Sequence, residues 1–184
     1  MTILIIIIIA VVAICIFNKG TAIETDPGVI INGVEWATCN LAGSGSFTGK
    51  PEHKGKLLGQ YDDRCPSGWR LPKRTDFDAL LDEDKVSIEK ANLNGTIGMR
   101  FVDKDTGNSM FLPAAGCKAG DQYRKGGYYW CDDAVDLGED RLVGRWSYKF
   151  MEFDAEANPN SINVSYYTKF VQFNKLSIRA VRAK

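Results

Sequence analysis

The chain has only one histidine, His53, and that scarcity narrows its chemistry. A single imidazole cannot build a multi-histidine metal site. Its setting, the Gly-, Ser- and Lys-rich stretch 40–60, makes it a solvated loop residue rather than half of a Cys–His pair. Surplus charge is missing too: 23 basic residues balance 23 acidic ones, so there is no electrostatic footprint for nucleic acid. No Cys-x-x-Cys occurs, which removes the common zinc and redox motifs. Neither a Gly-x-Ser-x-Gly elbow nor a phosphate loop is present. Long stretches of helical periodicity are few, and 18 glycines with many aromatics favour short strands and turns over a helical bundle. No catalytic constellation emerges, so the chain reads as a non-enzyme without cofactor or metal. Asp103, Asp105 and Gly107 resemble a calcium loop only superficially. Counting from Asp103, the sixth residue is Asn108 and the twelfth Ala114, where the calcium pattern needs Gly and Glu. A hairpin is the expectation there.

The first 22 residues hold an unbroken apolar run, Ile3 to Phe17, of fifteen residues. A spanning helix needs about twenty, and signal-peptide cores run about seven to fifteen. Gly20-Thr21-Ala22 supplies small residues for cleavage after Ala22. No Lys or Arg precedes the run. Cys15 raises a lipoprotein alternative, against which Ile14 is bulky, and an uncleaved membrane anchor is the third reading. All three imply export, to the cell surface, the outer membrane or the medium. Residues 23–28 form a linker ending in the turn signal Asp26-Pro27-Gly28, and 29–184 form one domain.

Within that domain, Cys65-Pro66-Ser67-Gly68-Trp69-Arg70-Leu71-Pro72 is a stiff, extended lead into an amphipathic helix. Thr75 or Asp76 is the expected cap, and Phe77, Leu80 and Leu81 fall on one buried face. Trp69 and Leu71 are expected in the same core. Asn32-Gly33 joins two short strands, with Ile30, Val34 and Trp36 as their apolar contacts. Asp62 and Asp63 read as solvated. Asp82 to Asn92 reads as a second short helix or an ordered loop, with Asn94-Gly95 as a turn. Residues 119–127 read as a polar turn. Arg145 to Phe153 alternates Trp146, Tyr148 and Phe150 with Ser147 and Lys149, a strand pattern. Leu176, Ile178 and Ala180 alternate with Ser177, Arg179 and Val181 in the last strand.

Five stretches in order carry a resemblance: Ile31 to Thr38, Cys65 to Pro72, Phe111 to Gly116, Gly127 to Trp130, and Leu176 to Arg182. Together they resemble the Fibrobacter succinogenes major paralogous domain, a family common in secreted proteins of gut Bacteroidetes. The resemblance covers about residues 29–184. It implies an α+β, C-type-lectin-like fold with short antiparallel strands, one or two helices and long loops, related to formylglycine-generating and phage tropism-determinant domains. It implies a setting more than an activity, since the family has none that is well defined. The formylglycine-generating relatives need reactive cysteines late in the chain, and none follows Cys131 here. Sugar-binding C-type lectins hold calcium with a Glu-Pro-Asn type motif followed by Trp-Asn-Asp. Here Trp130-Cys131-Asp132-Asp133 precedes Asn158-Pro159-Asn160, in reversed order and with different residue types.

Four cysteines follow the leader: Cys39, Cys65, Cys117 and Cys131. An even number in an exported chain points to disulfides, with three connectivities. Cys117 and Cys131 flank a polar turn, which makes them a natural pair, leaving Cys39 with Cys65. The family commonly carries a cysteine where Ala180 stands here, a partner for Cys65 that this chain lacks.

What remains is a surface. Loops at 118–127, 132–145 and 154–170 carry tyrosines among Asp, Asn, Arg and Lys, and such aromatics give contact area with few rotors to freeze. Tyr123, Arg145, Tyr148, Tyr166 and Tyr167 are the candidate ligand-binding residues. The expected function is a non-catalytic extracellular recognition or adhesion module for a surface glycan or protein. The alternatives are a structural pilus or envelope component and a diversified receptor-binding variable protein.

Overall fold

Asn32 and Gly33 take positive φ angles of 43° and 75°, which suit a tight two-residue hairpin. They join β1 (Val29–Ile31) to β2 (Val34–Trp36). The computed structural model describes Ile23 and residues 25–59, 65–136, 146–167 and 174–183. The apolar leader, Asp62 and Asp63 lie outside these residues. In the β1–β2 register Ile30 faces Glu35 and Ile31 faces Val34. The inward residue is therefore Ile31, fully buried, whereas Ile30 is half exposed, contrary to expectation.

The rest of the chain follows as short strands. A small hairpin, β3 (Leu41–Gly43) with β4 (Ser46–Phe47), leads to β5 (Trp69–Arg70) and the helix α1 (Arg74–Leu80). A meander of β6 (Val86–Leu93), β7 (Thr96–Asp103) and β8 (Ser109–Pro113) comes next. Then β9 (Cys117–Ala119) and β10 (Gln122–Arg124) make a hairpin. After it, β11 (Gly127–Asp136), β12 (Trp146–Phe153) and β13 (Asn163–Tyr167) form an antiparallel sheet. Finally β14 (Asn174–Lys175) adds to β9, and β15 (Val181–Arg182) inserts between β2 and β5.

This is not the α+β, C-type-lectin-like architecture that the motifs implied. Among the described residues one α-helix of seven residues accompanies several small antiparallel sheets. The largest departure is the charged stretch after α1, which forms the eight-residue strand β6 instead of a helix or loop. Asn94 and Gly95, with φ of 49° and 84°, set a hairpin that pairs all of β6 with β7, from Val86–Asp103 to Leu93–Thr96. Residues 40–60 are also not a plain loop, since Leu41, Phe47 and Leu58 are buried.

The apolar residues fill two clusters. One holds Ile31, Trp36, Phe77, Leu80, Phe101 and Met151 among others. The other holds Leu41, Phe47, Trp69, Trp130, Phe150 and Ile178 among others. The sheet of β11 and β12 separates them, because successive side chains of a strand point to opposite faces. Tyr129 and Met151 enter the first cluster, while their neighbours Trp130 and Phe150 enter the second. The expectation that Trp69 and Leu71 share the core of α1 fails for the same reason: α1 buries Phe77 and Leu80 in the first cluster, and β5 delivers Trp69 to the second.

The four cysteines divide between the two clusters. Among the described residues no disulfide joins Cys39, Cys65, Cys117 and Cys131. Cys131 lies in the first cluster and Cys117 in the second. Cys39 sits beside the Thr38 hydroxyl at 3.5 Å, and burial pushes its thiol pKa up.

Candidate functional site

A buried cation organises the surface above it. Arg179 is fully buried, and its guanidinium donates to three neutral oxygens. Nε donates to Asn40 Oδ1 at 3.0 Å, Nη1 to Ala37 O at 3.1 Å, and Nη2 to Phe111 O at 2.9 Å. Desolvation lowers its pKa from the ordinary guanidinium value. Alternation in the last strand put Arg179 with Ser177 and Val181, opposite Leu176, Ile178 and Ala180. The strand expected over this stretch is not continuous, since β15 covers only Val181–Arg182, and every residue from Leu176 to Val181 is buried.

Asn40 relays this anchor outward. Its Nδ2 donates to Lys54 O at 2.9 Å, fixing the loop that carries Lys54. Gly55 secures the same loop: with φ of 73°, any Cβ there would fall 2.3 Å from Leu41 O. Nearby, the Tyr129 hydroxyl donates to Pro113 O at 2.6 Å and accepts from Asn40 Nδ2 at 3.5 Å. Burial pushes the Tyr129 pKa up to about 12 against the opposing influence of Arg179 and Asn40. One polar network thus ties the Lys54 loop to the end of β8.

Above this network lies an open groove of about 410 Å³. Lys54 forms one wall, the β6–β7 turn with Thr96 and Ile97 a second, and Tyr123 with Lys125 a third; Ala114 and Ala155 also line it. Asn94 Nδ2 donates to Glu52 Oε1 at 2.9 Å, joining the first two walls.

Tyr123 is the groove's aromatic surface, and it is held in place. Its hydroxyl donates to Ala115 O at 3.0 Å. Its ring covers Gly116, where a Cβ would fall within 2.6 Å of three ring and hydroxyl atoms. Gly116 has a φ of 78°, so the residue there must be glycine both for its backbone and for the ring against it. Tyr123 nonetheless remains 53% exposed, so an ordered ring faces solvent.

Of the residues expected from sequence, Tyr123 lines this groove. Arg145 lies outside the described residues. Tyr148, Tyr166 and Tyr167 occupy strand positions on β12 and β13, where Tyr148 pairs with Tyr167 and Tyr166 with Lys149. The groove adjoins the other end of the sheet, near Gly126 and Ala155. Tyr148 is five residues from Phe153 along β12, or about 17 Å at strand rise. Lys54 and Lys125 were not anticipated, and no motif marks them.

Asp103, considered and rejected as a calcium ligand, has its carboxylate engaged within the protein. It accepts from Asn32 N at 2.7 Å, Thr106 N at 2.8 Å and Asp105 N at 3.0 Å. These bonds, that from Asn32 foremost, hold its pKa below the usual carboxylate range. Among the described residues no cluster of three or more His, Cys, Asp or Glu side chains could hold a metal ion.

Compared with known proteins, the chain matches no family model, no curated protein and no solved structure.

Proposed function

We propose that this chain is a non-catalytic extracellular recognition module that binds a glycan or protein at the Tyr123 groove. The observation that carries the reading is the Tyr123 ring, half exposed yet fixed by the Ala115 carbonyl and by contact with Gly116. An ordered, solvent-facing aromatic contributes contact area with little rotamer entropy left to lose on binding. The groove volume of about 410 Å³ falls within the range of small-ligand sites. The apolar leader, and the five stretches that resemble motifs of a secreted family, support an exported setting, with attachment to a membrane through the leader as one form of it.

The test is capture of the labelled full chain on arrays of bacterial and host surface glycans and surface proteins, with and without EDTA. Capture that Tyr123→Ala lowers at least fivefold, while thermal unfolding is unchanged, supports the groove. Loss on Tyr166→Ala and Tyr167→Ala instead would move recognition to the β12–β13 sheet. Failure of every glycan and protein to bind a folded sample rejects the reading. A structural envelope component is the second reading. It draws on β6, an eight-residue edge strand that leaves backbone groups able to pair with another chain. Filaments seen by electron microscopy without added ligand would favour it.

A further inference from the structure

The groove has a charge that the balanced composition hides. Lys54 and Lys125 line it together with Tyr123. The cationic surface continues along the β10–β9–β14 sheet. Tyr123 pairs with Lys118, and Lys118 pairs in turn with Lys175. Residues directly opposite in a ladder share a face, so Tyr123, Lys118 and Lys175 form one row across three strands. Lys118 and Lys175 are exposed, whereas Cys117, next in β9, is buried on the other side. Among the described residues no carboxylate makes an ion pair with Lys54, Lys118, Lys125 or Lys175. Some other exposed lysines do pair, as in Lys85–Asp105 and Lys90–Glu156.

We infer that the groove and this row bind an anionic glycan, a chain of sugars bearing carboxylates or sulfates. The inference rests on the recognition reading and specifies its ligand. The lysines supply ammonium groups for the anions, and the exposed Tyr123 ring supplies a flat surface for the apolar face of a pyranose. Neighbouring strands lie about 5 Å apart, close to the length of one sugar in an extended chain, so the row matches successive residues of a polymer. A peptide adding as a strand would need a long edge. The edge strand β10 beside the groove has three residues, Gln122–Arg124, which favours recognition through side chains.

The experiment measures binding of the full chain to four immobilised probes: polygalacturonate, heparin, neutral dextran and poly-glutamate. Acidic glycans are expected to bind and dextran not to. Lys54→Gln with Lys125→Gln should weaken acidic-glycan binding at least tenfold, and Tyr123→Ala at least fivefold. Tyr123→Leu, which keeps apolar bulk without a ring, should resemble Tyr123→Ala and guards against a simple packing effect. Polygalacturonate and heparin separate carboxylate from sulfate as the anion. Poly-glutamate binding that equals the glycans and ignores Tyr123→Ala would overturn the inference in favour of plain charge neutralisation or an acidic peptide. Dextran binding equal to polygalacturonate, with the lysine variants unaffected, would overturn it while leaving recognition intact. Binding to none of the four also overturns it, and the arrays described above then decide recognition independently.

Discussion

At the scale of single residues, the protein depends on polar groups buried with few alternatives. Arg179 satisfies Asn40, Ala37 O and Phe111 O at once, and its planar fork lets one side chain do so. Arg179→Met leaves those acceptors without their donor while removing a desolvated charge. The net loss expected in urea unfolding is about 2–4 kcal/mol. Arg179→Lys should recover little, because a point charge cannot match the three directions. Tyr129 makes a second prediction, on the alkaline side. Its pKa is raised in the folded protein to about 12, whereas an unfolded tyrosine ionises near pH 10. The folded state then holds the proton that the unfolded state releases, so stability is full below pH 10 and falls as pH rises towards 12. The loss should reach roughly 3 kcal/mol. Tyr129→Phe should flatten this alkaline limb while costing about 1 kcal/mol at neutral pH for the lost bond to Pro113 O.

At the scale of elements, α1 is short enough that its capping contacts matter. It starts at Arg74, so the flanking cap is Lys73, earlier than the expected Thr75 or Asp76. Asp76 instead occupies the third helical position, where Oδ2 accepts from Lys73 N at 2.7 Å. Arg70 grips the same carboxylate, Nη1 to Oδ2 at 2.7 Å and Nη2 to Oδ1 at 3.2 Å. Burial acts to raise the Asp76 pKa, but the bonds from Arg70 and Lys73 outweigh it and leave the pKa lowered. For a lowered carboxylate the contribution is present above the unfolded value near 3.9 and disappears as pH falls through the folded one. Asp76→Asn should therefore cost about 1–2 kcal/mol at pH 7. The difference between variant and wild type should shrink as unfolding is measured from pH 5 down to pH 2.5. A difference that holds constant over that range would show that the charge on Asp76 contributes nothing.

At the scale of the whole molecule, two clusters share one partition. The β11–β12 sheet is packed on both faces, so neither cluster can open without exposing the sheet that closes the other. Leu80→Ala in the first cluster and Ile178→Ala in the second should each cost about 2–5 kcal/mol. Both should lower a single transition, with tryptophan fluorescence and far-UV circular dichroism coinciding. Two separated transitions would show that the clusters are independent units. Recognition belongs to this scale as well. Lys54, Thr96, Ala114, Tyr123 and Ala155 meet in the groove from five distant segments, so a ligand there should raise the unfolding midpoint of the whole protein.

The sequence by itself determined what short-range chemistry encodes. Asn32-Gly33 and Asn94-Gly95 specify turns because their backbones accept positive φ. Phe77, Leu80 and Leu81 mark one helical face by spacing, and alternation marks β12. Tyr123 was legible as a candidate because a tyrosine in a polar turn is conspicuous. Tertiary structure decided the rest. A segment buried on both sides carries its polar residue inward, so Arg179 in a polar–apolar alternation cannot be told from a solvated residue until the second layer is in place. The charged surface of β6 hid a strand whose partner, β7, was needed to reveal it. Which cluster each cysteine enters depends on which face of the dividing sheet it meets. Lys54 and Lys125 look like any exposed lysine until packing brings them to one groove with the Tyr123 ring.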